Sequence, residues 1–133
     1  MADPDQPDLA TCPFCFPAAD RIAIDDRLTR ALWDAFPASP GHLLIVPRRH
    51  VATWFEASED ERLALVRTLD EAKVLVEERH HPAGYNIGIN VGRAAGQTVF
   101  HLHVHLIPRY SGDVPDPRGG VRHVIPGKGN YLK

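Results

Sequence analysis

The apolar positions of the chain change period twice. Arg21 to Asp25 and Thr29 to Asp34 carry them at the short spacing of strands, with a turn at Asp26-Arg27 between. Pro37 to His42 (PASPGH) reads as a loop. Leu43-Leu44-Ile45-Val46, ending at Pro47, is a continuous apolar run and fits a buried strand. The period then lengthens. Ser58-Glu59-Asp60-Glu61 has the form of a capping box, in which the side chains at the two ends satisfy each other's backbone N–H groups. Leu63, Val66, Leu69, Lys73 and Val76 follow at helical spacing, and Leu65 and Ala72 widen the stripe. One long helix is predicted from about Glu59 to Arg79, stopped by His80-His81-Pro82-Ala83-Gly84.

After the helix the alternation returns. Tyr85, Ile87, Ile89 and Val91 share one face, and Asn86, Gly88 and Asn90 share the other. Gly92 to Gln97 is a small-residue loop, and Val99 to Arg109 is a second strand, most simply an antiparallel neighbour of the first. From Ser111 the chain is rich in Pro and Gly and predicts an extended arm, with Val121 to Ile125 offering an added strand instead. Strands, one helix and more strands give an α+β class: a meandering antiparallel sheet with a helix packed on one face. Residues 1–10 read as a flexible leader, 11–110 as the domain and 111–133 as a C-terminal extension.

Composition narrows the possibilities without naming a function. A chain of 133 residues is about one domain, and 44% apolar residues suffice for a core. A net charge of −2 gives no nucleic-acid signal, and no apolar run approaches a membrane span. The start, MADPDQPDLA, lacks the basic and apolar regions of a secretory signal, so a cytoplasmic location is expected. There the Cys12–Cys15 C-x-x-C suggests metal or redox chemistry rather than a structural disulfide.

The chemistry concentrates in HLHVHLIPRY, His101 to Tyr110. Alternation puts His101, His103 and His105 on one face and Leu102, Val104 and Leu106 on the other. The histidines then lie roughly 6–7 Å apart, two strand residues along. Such a face can be merely polar, can ligate a metal, or can carry a nucleophile, because a neutral imidazole attacks well near pH 7. Gln97 and Thr98 precede the histidines, and Asn90 lies on the polar face of the neighbouring strand. Their amides and hydroxyl, with loop N–H groups, suit a tetrahedral phosphate better than a carbonyl. An imidazole among them implies attack on phosphorus through a phosphoramidate.

AGQTVFHLHVHLIPR resembles the signature of the histidine-triad (HIT) family, and PGHLLIVPRRH, Pro40 to His50, is similar to that family's second motif. The likeness runs from about Cys12 to Tyr110 and is nearest the bacterial members that begin with a C-x-x-C. It implies a nucleotidyl hydrolase or transferase in which His103 attacks the α-phosphorus. His105 contacts the phosphate near the leaving group, and His42 supports the triad. Asn90, Gln97 and Thr98 match phosphate and leaving-group positions, and Asp34, eight residues before His42, matches the position that binds the ribose hydroxyls. Cys12, Cys15, His50 and His101 match a structural zinc set; a closed Cys2His2 tetrahedron suits a structural role. No cofactor is needed for the chemistry. The resemblance also implies a homodimer. The favoured substrate is a dinucleoside polyphosphate such as diadenosine tetraphosphate, with a purine base, and a nucleoside phosphoramidate is second. Rival readings are a phosphorolytic nucleotidyltransferase, a nucleotide-binding signalling module with little turnover, and a zinc-dependent hydrolase.

Other residues carry weaker expectations. In family register Trp33 and Phe36 lie near the nucleoside, ahead of Phe55, while Trp54 reads as packing. His80, His81 and His123 read as helix-end or surface residues, and Arg48 and Arg49 as a solvated loop. Arg93 and Arg109 are placed to steer a polyphosphate. Arg118, Arg122 and Lys128 of the arm are within reach of a polyphosphate or a partner subunit.

Overall fold

The computed structural model describes residues 10–132, so nearly all of the expected leader lies outside it. Five strands form one antiparallel sheet: β1 (Ile22–Asp25), β2 (Thr29–Trp33), β3 (Leu43–Pro47), β4 (Gly84–Gly88) and β5 (Val104–Arg109). Their order across the sheet is β1-β2-β3-β5-β4. One long helix, α1 (Glu59–His80), connects β3 to β4. This is the expected α+β architecture.

The helix starts where the capping box put it. Ser58 Oγ accepts from the Glu61 N–H at 3.1 Å, and Glu61 Oε1 accepts from the Ser58 N–H at 2.9 Å. It ends at His81, which takes a left-handed conformation (φ 50°) before Pro82. The buried stripe differs from the one expected. It runs through Glu61, Leu65, Thr68, Ala72 and Val76, whereas Leu63 and Val66 are half exposed. Counting apolar residues alone misses Thr68, whose hydroxyl is buried against that of Thr29 at 2.6 Å. A buried hydroxyl that is satisfied in this way fits a core face.

Both sheet faces carry apolar layers. Leu43, Ile45, Val104 and Leu106 face the helix with Leu65, Ala72 and Val76. Leu32, Leu44 and Val46 face the other way, beneath Cys12 and Phe14 of the N-terminal segment. Every residue of β3 is buried, which accounts for its unbroken apolar run.

The two last strands are shorter than expected: β4 stops at Gly88 and β5 starts only at Val104. Pro47 supplies the reason. The β3–β5 register pairs Ile45 with Val104, which brings Pro47 to the next rung. Proline has no N–H to donate, and its carbonyl accepts from His101 Nε2 at 2.7 Å. The ladder therefore ends there. The Leu102 N–H turns instead to the Val51 carbonyl at 2.7 Å. Of the three histidines, only His105 belongs to the regular strand.

The described residues from Ser111 onward form no strand. They fold back through a short 3-10 turn, Gly120–Val124, beside β4.

Candidate active site and metal centre

His101 points its two nitrogens at different tasks. With Nε2–H given to the Pro47 carbonyl, Nδ1 presents its lone pair to a cluster. Nδ1 lies 3.4 Å from Cys12 Sγ, 3.5 Å from Cys15 Sγ and 3.0 Å from His50 Nδ1, and Cys15 Sγ is 3.0 Å from His50 Nδ1. The four ligand atoms all lie within 4.8 Å of one another. Tetrahedral zinc with bonds of about 2.0–2.3 Å sets its ligand atoms roughly 3.3–3.8 Å apart. Two sulfurs and two imidazole nitrogens at these spacings fit that ion. Burial pulls His101 down to about 4, so it is neutral at pH 7, the ligating form. Burial and the neighbouring Cys12 push the Cys15 thiol up to about 11, a state that a cation would reverse. Arg49 anchors the loop carrying His50. Its guanidinium holds the buried Glu61 carboxylate at 2.7 Å, tying that loop to the helix start. Arg48 likewise bonds Asp25 and, at 2.6 Å, the Asp26 carbonyl. Both arginines lie exposed in the loop, as expected, and each is also paired.

His103 is held by the backbone of the same His101. Its Nδ1–H donates to the His101 carbonyl at 2.8 Å, which leaves the Nε2 lone pair available. Burial lowers its pKa and keeps it neutral. Phe14, between the two cysteines, lays its ring edge-on at 5.0 Å from the His103 ring and 5.9 Å from the His101 ring. Sequence reasoning did not single out Phe14; its place inside the C-x-x-C was the available signal.

His105 and His42 complete the row. The Ala38 N–H donates to His42 Nδ1 at 3.0 Å, so His42 carries its proton on Nε2. That Nε2–H faces His105 Nδ1 at 3.0 Å and Asp34 Oδ2 at 3.4 Å. His105 therefore bears its own proton on Nε2 and is a donor on that side. Burial, with His103 and His42 close by, brings His105 to about 4. Burial also lowers His42, against the pull of Asp34. The His103 and His105 rings are 5.0 Å apart, closer than an ideal strand would set them. Asp34 is oriented by the Phe36 N–H, which donates to Oδ1 at 2.9 Å. Two bonds hold the loop before His42 against the end of β5. Ser39 Oγ donates to the Pro108 carbonyl and Tyr110 Oη to the Pro40 carbonyl, each at 2.6 Å.

Several expected site residues are placed otherwise. Gln97 is buried with its carboxamide spent: Oε1 accepts from the Gly92 N–H at 2.9 Å, and Nε2 donates to the Ala52 and Val99 carbonyls at 2.7 and 3.1 Å. Through these bonds it shapes the loop that precedes the histidines. Thr98 beside it is exposed. Asn90 lines a cleft of about 490 Å3 with His42 and His105. Trp33 packs on the helix-side core and against His80 and Arg79 rather than lining that cleft. Phe36 is 89% exposed, beyond Asp34. Phe55 is also exposed, and Trp54 packs on the core as expected. Arg109 is engaged by Asp113 through two bonds of 2.8 Å and by Asn86 Oδ1 at 2.6 Å, so it is not free to steer a polyphosphate. Arg118 pairs with Asp116, and Arg122 binds the Gly129 and Lys128 carbonyls, so both serve the arm itself.

The HIT domain model matches residues 17–112. The chain belongs to the HIT family. It is 35% identical over 88 residues to an AP-4-A phosphorylase of Mycobacterium tuberculosis, covering 65% of this chain and 45% of that one. It is 34% identical over 98 residues to an asymmetrical bis(5'-nucleosyl)-tetraphosphatase of Schizosaccharomyces pombe, covering 74% and 54%. The crystal structure of a zinc-bound histidine triad family protein from Mycobacterium smegmatis superposes with a TM-score of 0.71 at 29% identity, covering 82% of this chain and 86% of that one. The matched region spans from 45% to 75% of the length of the curated relatives, and about half of the two named here.

Proposed function

We propose that this HIT protein is a nucleotidyl hydrolase or transferase that works through a nucleotidyl-histidine at His103. One observation carries the reading. His103 is buried and neutral, and its Nδ1–H is fixed on the His101 carbonyl, so that Nε2 is the nucleophilic atom. Nε2 attacks the α-phosphorus of a nucleoside polyphosphate. The N–P bond forms as the bridging P–O bond breaks, and the leaving phosphate chain departs with the electron pair. The positive charge on the His103 ring rests against the His101 carbonyl. His105 Nε2–H donates to the phosphate or the leaving oxygen, and His42 holds His105 in that tautomer. Water then attacks the phosphorus, the pair returns to Nε2, and the water proton passes to solvent. Asp34 takes the ribose hydroxyls, and Asn90 and Thr98 contact the phosphates. The substrate class is a dinucleoside polyphosphate, with a purine base and a nucleoside phosphoramidate second.

Cys12, Cys15, His50 and His101 would hold a structural zinc. Bound there, it would supply a crosslink between the N-terminal segment and the sheet. The working form is a cytoplasmic homodimer joined through its sheets.

The test is intact-protein mass spectrometry after rapid quench with diadenosine tetraphosphate. Wild type is expected to gain one adenylate transiently, and His103→Ala none. Turnover by the variant at the wild-type rate would remove the reading. The phosphorylase relative supports a second reading, in which inorganic phosphate rather than water releases the nucleotide. A strict dependence of turnover on added phosphate would select it.

A further inference from the structure

The family match ends at residue 112, and the arm that follows is a built structure rather than a loose tail. Gly119 adopts φ +95°, and a Cβ there would lie 2.2 Å from the Gly129 carbonyl oxygen. A Cβ on Gly129 would enter the His123 ring. His123 Nε2–H donates to the Arg118 carbonyl at 2.9 Å, and Asn130 Nδ2 donates to Asp116 at 2.7 Å. Closed in this way, the arm stands beside β4 and next to the histidines.

The cleft of about 490 Å3 is lined by His42 and His105, by the paired Asn86 and Ile107 on the same sheet face, and by Val121 and Val124 of the arm. Val121 and Val124 are 62% and 75% exposed. Open apolar surface joined to a polar site is surface that a ligand covers. Charge is spent nearby: Arg109 is taken by Asp113 and His123 by Arg118. That chemistry suits a flat heterocycle better than a bare phosphate.

We infer that this cleft binds the nucleobase of the leaving half of the substrate. The inference rests on the nucleotidyl-transfer reading above. Direction supports it. Asp34 follows β2, His42 precedes β3 and His105 lies on β5, so the polar row crosses the sheet toward β4. A nucleoside anchored at Asp34, with its α-phosphorus at His103, sends its leaving chain past His105 into the cleft.

The test compares equilibrium binding of AMP and of a non-hydrolysable diadenosine tetraphosphate analogue, in wild type and in the Val121→Ala/Val124→Ala double variant. Both valines are exposed, so folding is not at risk, and melting temperature checks it. Wild type is expected to prefer the dinucleotide by about tenfold or more, and the variant to lose most of that preference. An unchanged preference, or an equal loss for both ligands, would overturn the inference. So would a change of molecular mass in light scattering, which would make the arm a contact between copies. If wild type binds neither ligand, the nucleotide reading itself fails and takes this one with it.

Discussion

Two segments flank the sheet face opposite the helix, and they do so by different physics. The N-terminal one presses Cys12 and Phe14, 5% and 8% exposed, onto Leu32, Leu44 and Val46, and joins a four-residue ligand cluster. The C-terminal arm leaves Val121, Val124 and Ile125 largely exposed and is closed by bonds to itself. The histidine row lies between them. His101 gives its ring to the N-terminal cluster and its carbonyl to His103, so one residue couples the ligand cluster to the proposed nucleophile. Among the described residues, no hydrogen bond ties the arm to His103. The first segment is part of the scaffold, and the second is an attachment beside the cleft at His42 and His105.

Metal removal should break that comparison most strongly if it is wrong. Protein purified with zinc and then stripped by chelator is expected to melt at least about 10 °C lower, since a structural ion contributes folding energy directly. Cys15→Ser should reproduce the loss without chelator. Calorimetry beside a zinc assay checks both. Unchanged melting after complete stripping would place the N-terminal segment with the arm as a mere cover.

The row between the segments makes the next prediction. Burial and two neighbouring imidazoles lower His105 from its ordinary 6.5 to about 4. At pH 7 it is neutral folded or unfolded and contributes no pH dependence. As pH falls below about 6.5 the unfolded chain takes up the proton first, so stability falls until about pH 4, where the folded form also binds it. Urea midpoints between pH 7 and pH 5 should therefore drop more in wild type than in His105→Gln. Equal slopes would mean that His105 is not held neutral.

Much of this division was legible in the chain. The capping box marked the helix start, and the unbroken run in β3 marked a buried strand. The alternation of His101, His103 and His105 announced one polar face. The cluster of Cys12, Cys15, His50 and His101 came from family register, which no spacing rule supplies for residues so far apart. Other features depended on partners that a linear reading does not pair. Thr68 reads as polar until Thr29 is set against it. Pro47 ends the β5 ladder only because the register brings it level with Leu102. Gln97 carries the amide that a phosphate site wants, yet three backbone groups claim it. The arm's Pro and Gly content signals an irregular chain, and says nothing of the Gly119–Gly129 closure.

That closure gives the smallest effect and the sharpest contrast with the metal cluster. Gly129→Ala would set a Cβ 2.1 Å from His123 Nδ1, which is too close for either group to remain. The turn must open, and Arg122 then loses the Gly129 carbonyl it holds at 3.2 Å. Because the arm adds none of the fully buried side chains of the core, global stability should move by no more than about 0.5–1 kcal/mol. Hydrogen exchange should nevertheless quicken across 118–130 and leave β3, β5 and α1 protected, as expected when one segment opens independently of the rest. Loss of protection at His101 to His105 in the same variant would show that the arm reaches the nucleophile after all, and the two flanking segments would then be alike.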